Sequence, residues 1–89
     1  MIRKKIQIIN KLGLHARASA KLVQTCSKFE SQIEIHLDGR TANGKSIMSV
    51  MMLAGSQHAW IDVHINGIDE EKALEAITQL LSDRFGEER

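Results

Sequence analysis

The stretch QIEIHLDGRTANG, Gln32 to Gly44, decides the fold class. Ile33, Ile35 and Leu37 fall on one side of an extended chain, and Glu34 and His36 on the other. Strict alternation is the period of a strand with one buried face. Asp38-Gly39 follows at once. Both residues tolerate positive φ, so they make a two-residue hairpin turn, and Arg40 to Asn43 becomes a short return strand ended by Asn43-Gly44. A hairpin joins antiparallel neighbours. The chain therefore needs apolar cover for one face of an antiparallel sheet whose other face is wet.

The cover is found on either side of the hairpin. Upstream, Ala18, Leu22, Cys26 and Phe29 recur at helical intervals within Ala16 to Phe29, and Ala20 and Val23 widen the stripe. Before that helix, Ile2, Ile6 and Ile8 alternate with Arg3, Lys5 and Gln7, with Lys4 interrupting the apolar side. The basic run Arg3-Lys4-Lys5 reads as the solvated side of an edge strand. Downstream, Ser46 suits the N-cap of a short helix reaching about Leu53. Ile61, Val63 and Ile65 then point inward from a strand begun by a half-buried Trp60. Asn66-Gly67 turns the chain, and Asp69 caps a last helix with Glu70 and Glu71 in its first turn. The stripe of that helix is Ala73, Leu74, Ile77, Leu80 and Leu81, and Gly86 lies just past its expected end at Phe85.

The order β-α-β-β-α-β-α predicts an α+β fold, a four-stranded antiparallel sheet carrying three helices on one face. At 89 residues the chain suits one domain, 1–89. The hydrophobic share of 43% is globular in kind, and the net charge is only +1 with an aromatic content of 3%. Nucleic-acid binding calls for a basic excess and stacking aromatics, so no nucleic-acid partner is expected. The single cysteine, Cys26, forms no internal disulfide and sits on a core stripe. The N-terminus has no signal-peptide core, and no apolar run nears the roughly 18 residues of a membrane span. A cytoplasmic protein without direct membrane insertion is expected.

The segment NKLGLHARASAK, Asn10 to Lys21, carries the chemistry. Gly13 lets the backbone bend, which puts His15 at or near the helix N-cap with Ala16, Arg17 and Ala18 as the first helical residues. Their N–H groups lack intrahelical acceptors, and the helix dipole adds about half a positive charge there. Such an end binds phosphate. Arg17 adds a permanently charged fork suited to phosphate oxygens. A histidine with a reference pKa of about 6.5 is largely an unprotonated nucleophile at cellular pH. Phosphoryl transfer depends mainly on positioning and electrostatic stabilisation, which this arrangement supplies. On pattern alone, a histidine at a helix start is also an ordinary surface residue.

GLHARAS together with NGKSIMSVMMLAG closely resembles the histidine-containing phosphocarrier protein (HPr) family of the bacterial phosphotransferase system. The resemblance spans nearly the whole chain. It implies an open-faced β-sandwich, and a phosphoryl group accepted from phosphorylated enzyme I on Nδ1 of His15 and passed to enzyme IIA. Arg17 would steady the phosphoryl oxygens, with the backbone of Ala16 and Arg17 as donors. One departure stands out: many relatives have proline where this chain has Ala18. Proline in a first helical turn is tolerated and stiffens it, whereas alanine restores an N–H donor.

In GKSIMSVMM, Val50 and Leu53 would face the sheet and leave Ile47, Met48 and Met51 partly exposed. Exposed methionines suit several partners. The resemblance implies that this helix docks onto enzyme I and IIA, and that in many relatives the serine matching Ser46 is phosphorylated by an HPr kinase/phosphorylase. A phosphoserine adds about −1.5 to −2 charge, tolerated at a helix N-terminus yet disruptive on an apolar docking surface. The expectation is a monomeric carrier with no cofactor, not an enzyme. Its alternatives are a regulatory module of the same fold and a nitrogen-branch carrier. His36 and His64, with Asp62 nearby, are read as a solvated polar face; a surface metal patch is the less simple reading, and no metal is expected. His58 lies in a loop, and Glu87-Glu88-Arg89 read as surface charge.

Overall fold

The computed structural model describes residues 1–89. Four strands, β1 (Ile2–Gln7), β2 (Gln32–Leu37), β3 (Arg40–Asn43) and β4 (Trp60–Asn66), form one antiparallel sheet in the order β1-β4-β2-β3. Three helices, α1 (Ala16–Cys26), α2 (Ile47–Met51) and α3 (Glu70–Ser82), cover one face. The architecture is the expected α+β open-faced sandwich. The basic β1 is an edge strand, as its Arg3-Lys4-Lys5 run predicts, and charge along an exposed edge resists pairing with other chains.

The inner strands meet through Ile33 opposite Ile65 and Ile35 opposite Val63, all buried. Ala18, Leu22 and Cys26 from α1, Val50 from α2 and Ala73, Ile77 and Leu81 from α3 close the same core of 19 buried apolar residues. Burial pushes the Cys26 thiol up to about 12 despite the opposing charge of Lys45, which suits a packing residue and not a nucleophile.

Five local expectations are corrected. Helix α1 ends at Cys26, because the amides of Lys28 and Phe29 bond three residues back, to Thr25 and Cys26; this tighter turn still delivers Phe29 to the core. Helix α2 stops at Met51 with Met52 as its C-cap. Helix α3 stops at Ser82, and Arg84, Phe85 and Gly86 then take φ of 53°, 55° and 79°, a left-handed turn that drives Phe85 into the core. Asp69 makes no side-chain cap. Its carboxylate instead accepts from the amides of Glu30 and Ser31 at 2.9 and 3.0 Å and from the Ser31 hydroxyl at 2.5 Å, pinning the α1–β2 corner to α3. Trp60 is 58% exposed on the wet face, not half-buried, because its neighbour Ile61 takes the inward position.

Candidate functional site

The start of α1 is set by a glycine. Gly13 has φ +63°, and a Cβ there would clash with the Gly55 carbonyl oxygen. No other residue fits without moving the backbone. The Leu14 amide donates to that same carbonyl at 2.8 Å, which docks the loop against the segment after α2. Leu14 is buried and its carbonyl accepts the Ser19 hydroxyl at 3.1 Å. His15 then follows as N-cap with extended backbone (φ −71°, ψ 178°), and its carbonyl accepts the first helical bond from Ser19 at 2.8 Å.

No side chain caps this helix, and there is no acidic residue in its first turn. The amide donors of Ala16, Arg17 and Ala18 therefore face a place where an anion is favoured. Arg17 is exposed beside His15 and Ala16, and Lys11 and Leu12 border the same open groove. Ala18, by contrast, is fully buried, so the departure from proline lies at a core-packed position.

The C-terminal segment completes the groove. Glu87, read from sequence as surface charge, is half-buried and accepts from His15 Nε2 at 2.5 Å through one carboxylate oxygen. Its other oxygen accepts from the buried Asn10 amide at 3.1 Å, and Asn10 also donates to the Gly13 carbonyl at 2.8 Å. Lys21 holds the preceding turn by donating to the Phe85 carbonyl at 2.6 Å. Burial would push the Glu87 carboxyl up, but the His15 and Asn10 hydrogen bonds and the charges of His15 and Lys21 outweigh it and hold it below the usual carboxylate range. An ionised carboxylate only accepts, so Nε2 carries the hydrogen and a neutral ring has its lone pair on Nδ1. Asn10 and Glu87 are the residues that sequence reasoning passed over. A carboxylate more than seventy positions from the histidine leaves no spacing signal.

Ser46 is the N-cap of α2, half-buried, and its hydroxyl accepts from the Ser49 amide at 3.3 Å. Val50 and Leu53 are buried as expected, while Ile47, Met48 and Met51 are 44%, 73% and 41% exposed. Met52 joins them at 73%. Helices α1 and α2 pack against each other, so the methionine surface and the His15 helix belong to one side of the molecule.

A family model described as the "PTS HPr component phosphorylation site" matches residues 2–83. The chain belongs to the HPr phosphocarrier family. It is 51% identical over 88 residues to the phosphocarrier protein HPr of Xylella fastidiosa (strain Temecula1 / ATCC 700964), covering 99% of each chain. Among solved structures it is similar to HPr-C-His from Thermoanaerobacter tengcongensis, with a TM-score of 0.96, 46% identity and complete coverage of both chains. It is also similar, at TM-score 0.74 and 34% identity, to the Bacillus subtilis catabolite repression protein Crh, solved as a domain-swapped dimer; 94% of this chain and 97% of that one are covered. The HPr relatives match in fold as well as in sequence, so the open-faced sandwich is the family's own. No helix is long and apolar enough to cross a membrane.

Proposed function

We propose that residues 1–89 form a single phosphocarrier domain that takes a phosphoryl group on His15 from phosphorylated enzyme I and yields it to enzyme IIA. The lone pair of His15 Nδ1 attacks phosphorus, the bond to the donor breaks, and its electron pair leaves with the donor. Transfer to IIA runs the same displacement with His15 as leaving group. Arg17 and the amides of Ala16 and Arg17 hold the phosphoryl oxygens. The domain is a stoichiometric carrier in the cytoplasm, monomeric and without cofactor, and not an enzyme in its own right. Partners dock on Ile47, Met48 and Met51, and a kinase/phosphorylase acting on Ser46 modulates them.

The observation that carries this reading is the ring of His15, held through Nε2 by Glu87 at 2.5 Å beside an uncapped helix start. The test is incubation with enzyme I and phosphoenolpyruvate, followed by mass spectrometry and acid treatment. One acid-labile phosphoryl group is expected on the wild type and on Ser46→Ala, none on His15→Ala, and slower acceptance on Arg17→Ala. An unlabelled, folded wild type beside an active enzyme I would favour the regulatory module instead. Identities of 51% and 46% to carriers against 34% to Crh support the carrier reading.

A further inference from the structure

The face of the sheet turned away from the helices carries an ordered array of imidazoles and carboxylates. Glu34 and His36 lie two apart on β2, Asp62 and His64 two apart on β4, and the register sets Glu34 opposite His64 and His36 opposite Asp62. Both are inner strands, hydrogen-bonded on either side, so these positions are rigid. The two rings stack with centroids 4.0 Å apart. One donor atom from each of Glu34, His36 and His64 lies within 4.8 Å of the others.

We propose that Glu34, His36 and His64 form a site for a divalent metal ion of zinc type. Two imidazoles and a carboxylate are a donor set that zinc accepts, with bonds of about 2.0–2.2 Å and donor atoms therefore about 3.3 Å apart in a tetrahedral shell. Binding would require the half-buried rings to turn out of their stack so that both lone pairs meet at one point. Two further observations point the same way. His64 Nε2 is buried with no hydrogen-bond partner, its nearest carboxylate oxygen, from Asp62, being 3.4 Å away. His36 has Thr41 Oγ1 at 3.2 Å from Nδ1, and donation from Nδ1 to that hydroxyl leaves the Nε2 lone pair facing Glu34 Oε1 at 3.3 Å. With its hydrogen on Nδ1, His64 offers Nε2 as a second such acceptor, and a cation between the two would satisfy both.

The edge strands favour Glu34 over Asp62 as the carboxylate ligand. β1 sets Lys5 opposite Asp62 and Arg3 opposite His64. Asp62, which lies 3.4 Å from His64 Nε2, thus has a lysine opposite it on its edge strand, whereas Glu34 has Asn43 opposite it on β3. Three protein ligands leave the remaining coordination positions to water, as in an open site.

The test is a titration of the full chain with zinc chloride, followed by calorimetry and by NMR of the imidazole signals, with Tm read in zinc and in EDTA. One equivalent should bind, shift the His36 and His64 rings and raise Tm. His36→Gln and His64→Gln should each weaken binding by about tenfold or more, Glu34→Gln by less, and His58→Gln not at all. Circular dichroism checks that each variant is folded. Equal binding by the His36→Gln/His64→Gln double variant overturns the site, as does a first response at His15 or His58. Rings that titrate with pH yet ignore zinc overturn it too, leaving a proton as the only cation shared there.

Discussion

Two helices of this molecule begin in opposite ways. At the start of α2, Ser46 turns its hydroxyl onto the Ser49 amide, and Ser49 in turn accepts from the Asn43 amide at 3.1 Å. That end is closed on itself. At the start of α1 the N-cap is His15, whose side chain caps nothing and reaches across to Glu87. No side chain caps its first-turn donors. The first end has its cap and the second lacks one, worth typically about 1 kcal/mol, which the proposed function assigns to chemistry. A histidine in a position that favours Ser, Thr, Asp or Asn is thus a local inconsistency of the kind expected at a functional site.

The comparison breaks most severely at Gly13. Gly13→Ala places a Cβ against the Gly55 carbonyl oxygen, so a loss of roughly 3 kcal/mol or more is expected in urea denaturation, together with loss of phosphoryl acceptance. Gly39 is the control. Its φ is also positive, at +80°, but a Cβ there meets nothing within 4 Å, so Gly39→Ala should cost only about 1 kcal/mol and leave acceptance intact.

A smaller effect separates the two caps. Ser46→Ala should destabilise by about 1 kcal/mol, whereas in a Glu87→Gln background, where the charged bond to Glu87 is already gone, His15→Ala should cost less because no cap bond is lost. Equal losses in paired melts would remove the distinction. Ser46→Asp keeps an acceptor and adds charge favourable to a helix start, so its Tm should stay near that of the wild type. Its affinity for enzyme I should nevertheless fall, because the charge borders the exposed Ile47, Met48 and Met51.

The smallest effect is one of pH. Glu87 and Asp69 are both held below their usual values, Glu87 by the bonds and charges described and Asp69 chiefly by the Ser31 hydroxyl and the Glu30 amide. A carboxyl depressed on folding stabilises fully above its unfolded value, about 4.3 for Glu and 3.9 for Asp, and the gain disappears as pH falls through the folded value. Between neutral pH and about 5 these two groups should contribute no slope to stability. Below about 4 the wild type should lose stability more steeply than Asp69→Asn or Glu87→Gln, as read from Tm against pH.

Most of the fold was legible because alternation at Ile33, Ile35 and Leu37 and the Asp38-Gly39 turn admit few arrangements. Helix ends were less so. Asp69 looks like a cap by residue type, yet its oxygens are taken by Glu30 and Ser31, partners that only the tertiary fold supplies. Gly86 just past Phe85 suggests a helix reaching Phe85, while the burial of Phe85 comes from a left-handed turn that no periodicity encodes. The position of His15 and Arg17 beside a free helix end was readable from Gly13 and the small residues after it. Asn10 and Glu87 were not, since polar residues near chain ends carry no pattern until the fold brings them together.

The most direct measurement is the position of the phosphoryl group on the ring. The chain, labelled with ¹⁵N and phosphorylated by enzyme I and phosphoenolpyruvate, would be observed by NMR through phosphorus–nitrogen and proton–nitrogen couplings. Phosphorus coupled to Nδ1 of His15, with a hydrogen retained on Nε2, is the result predicted by the Glu87 bond at 2.5 Å. Phosphorus on Nε2, or on Ser46 instead of the ring, would contradict it.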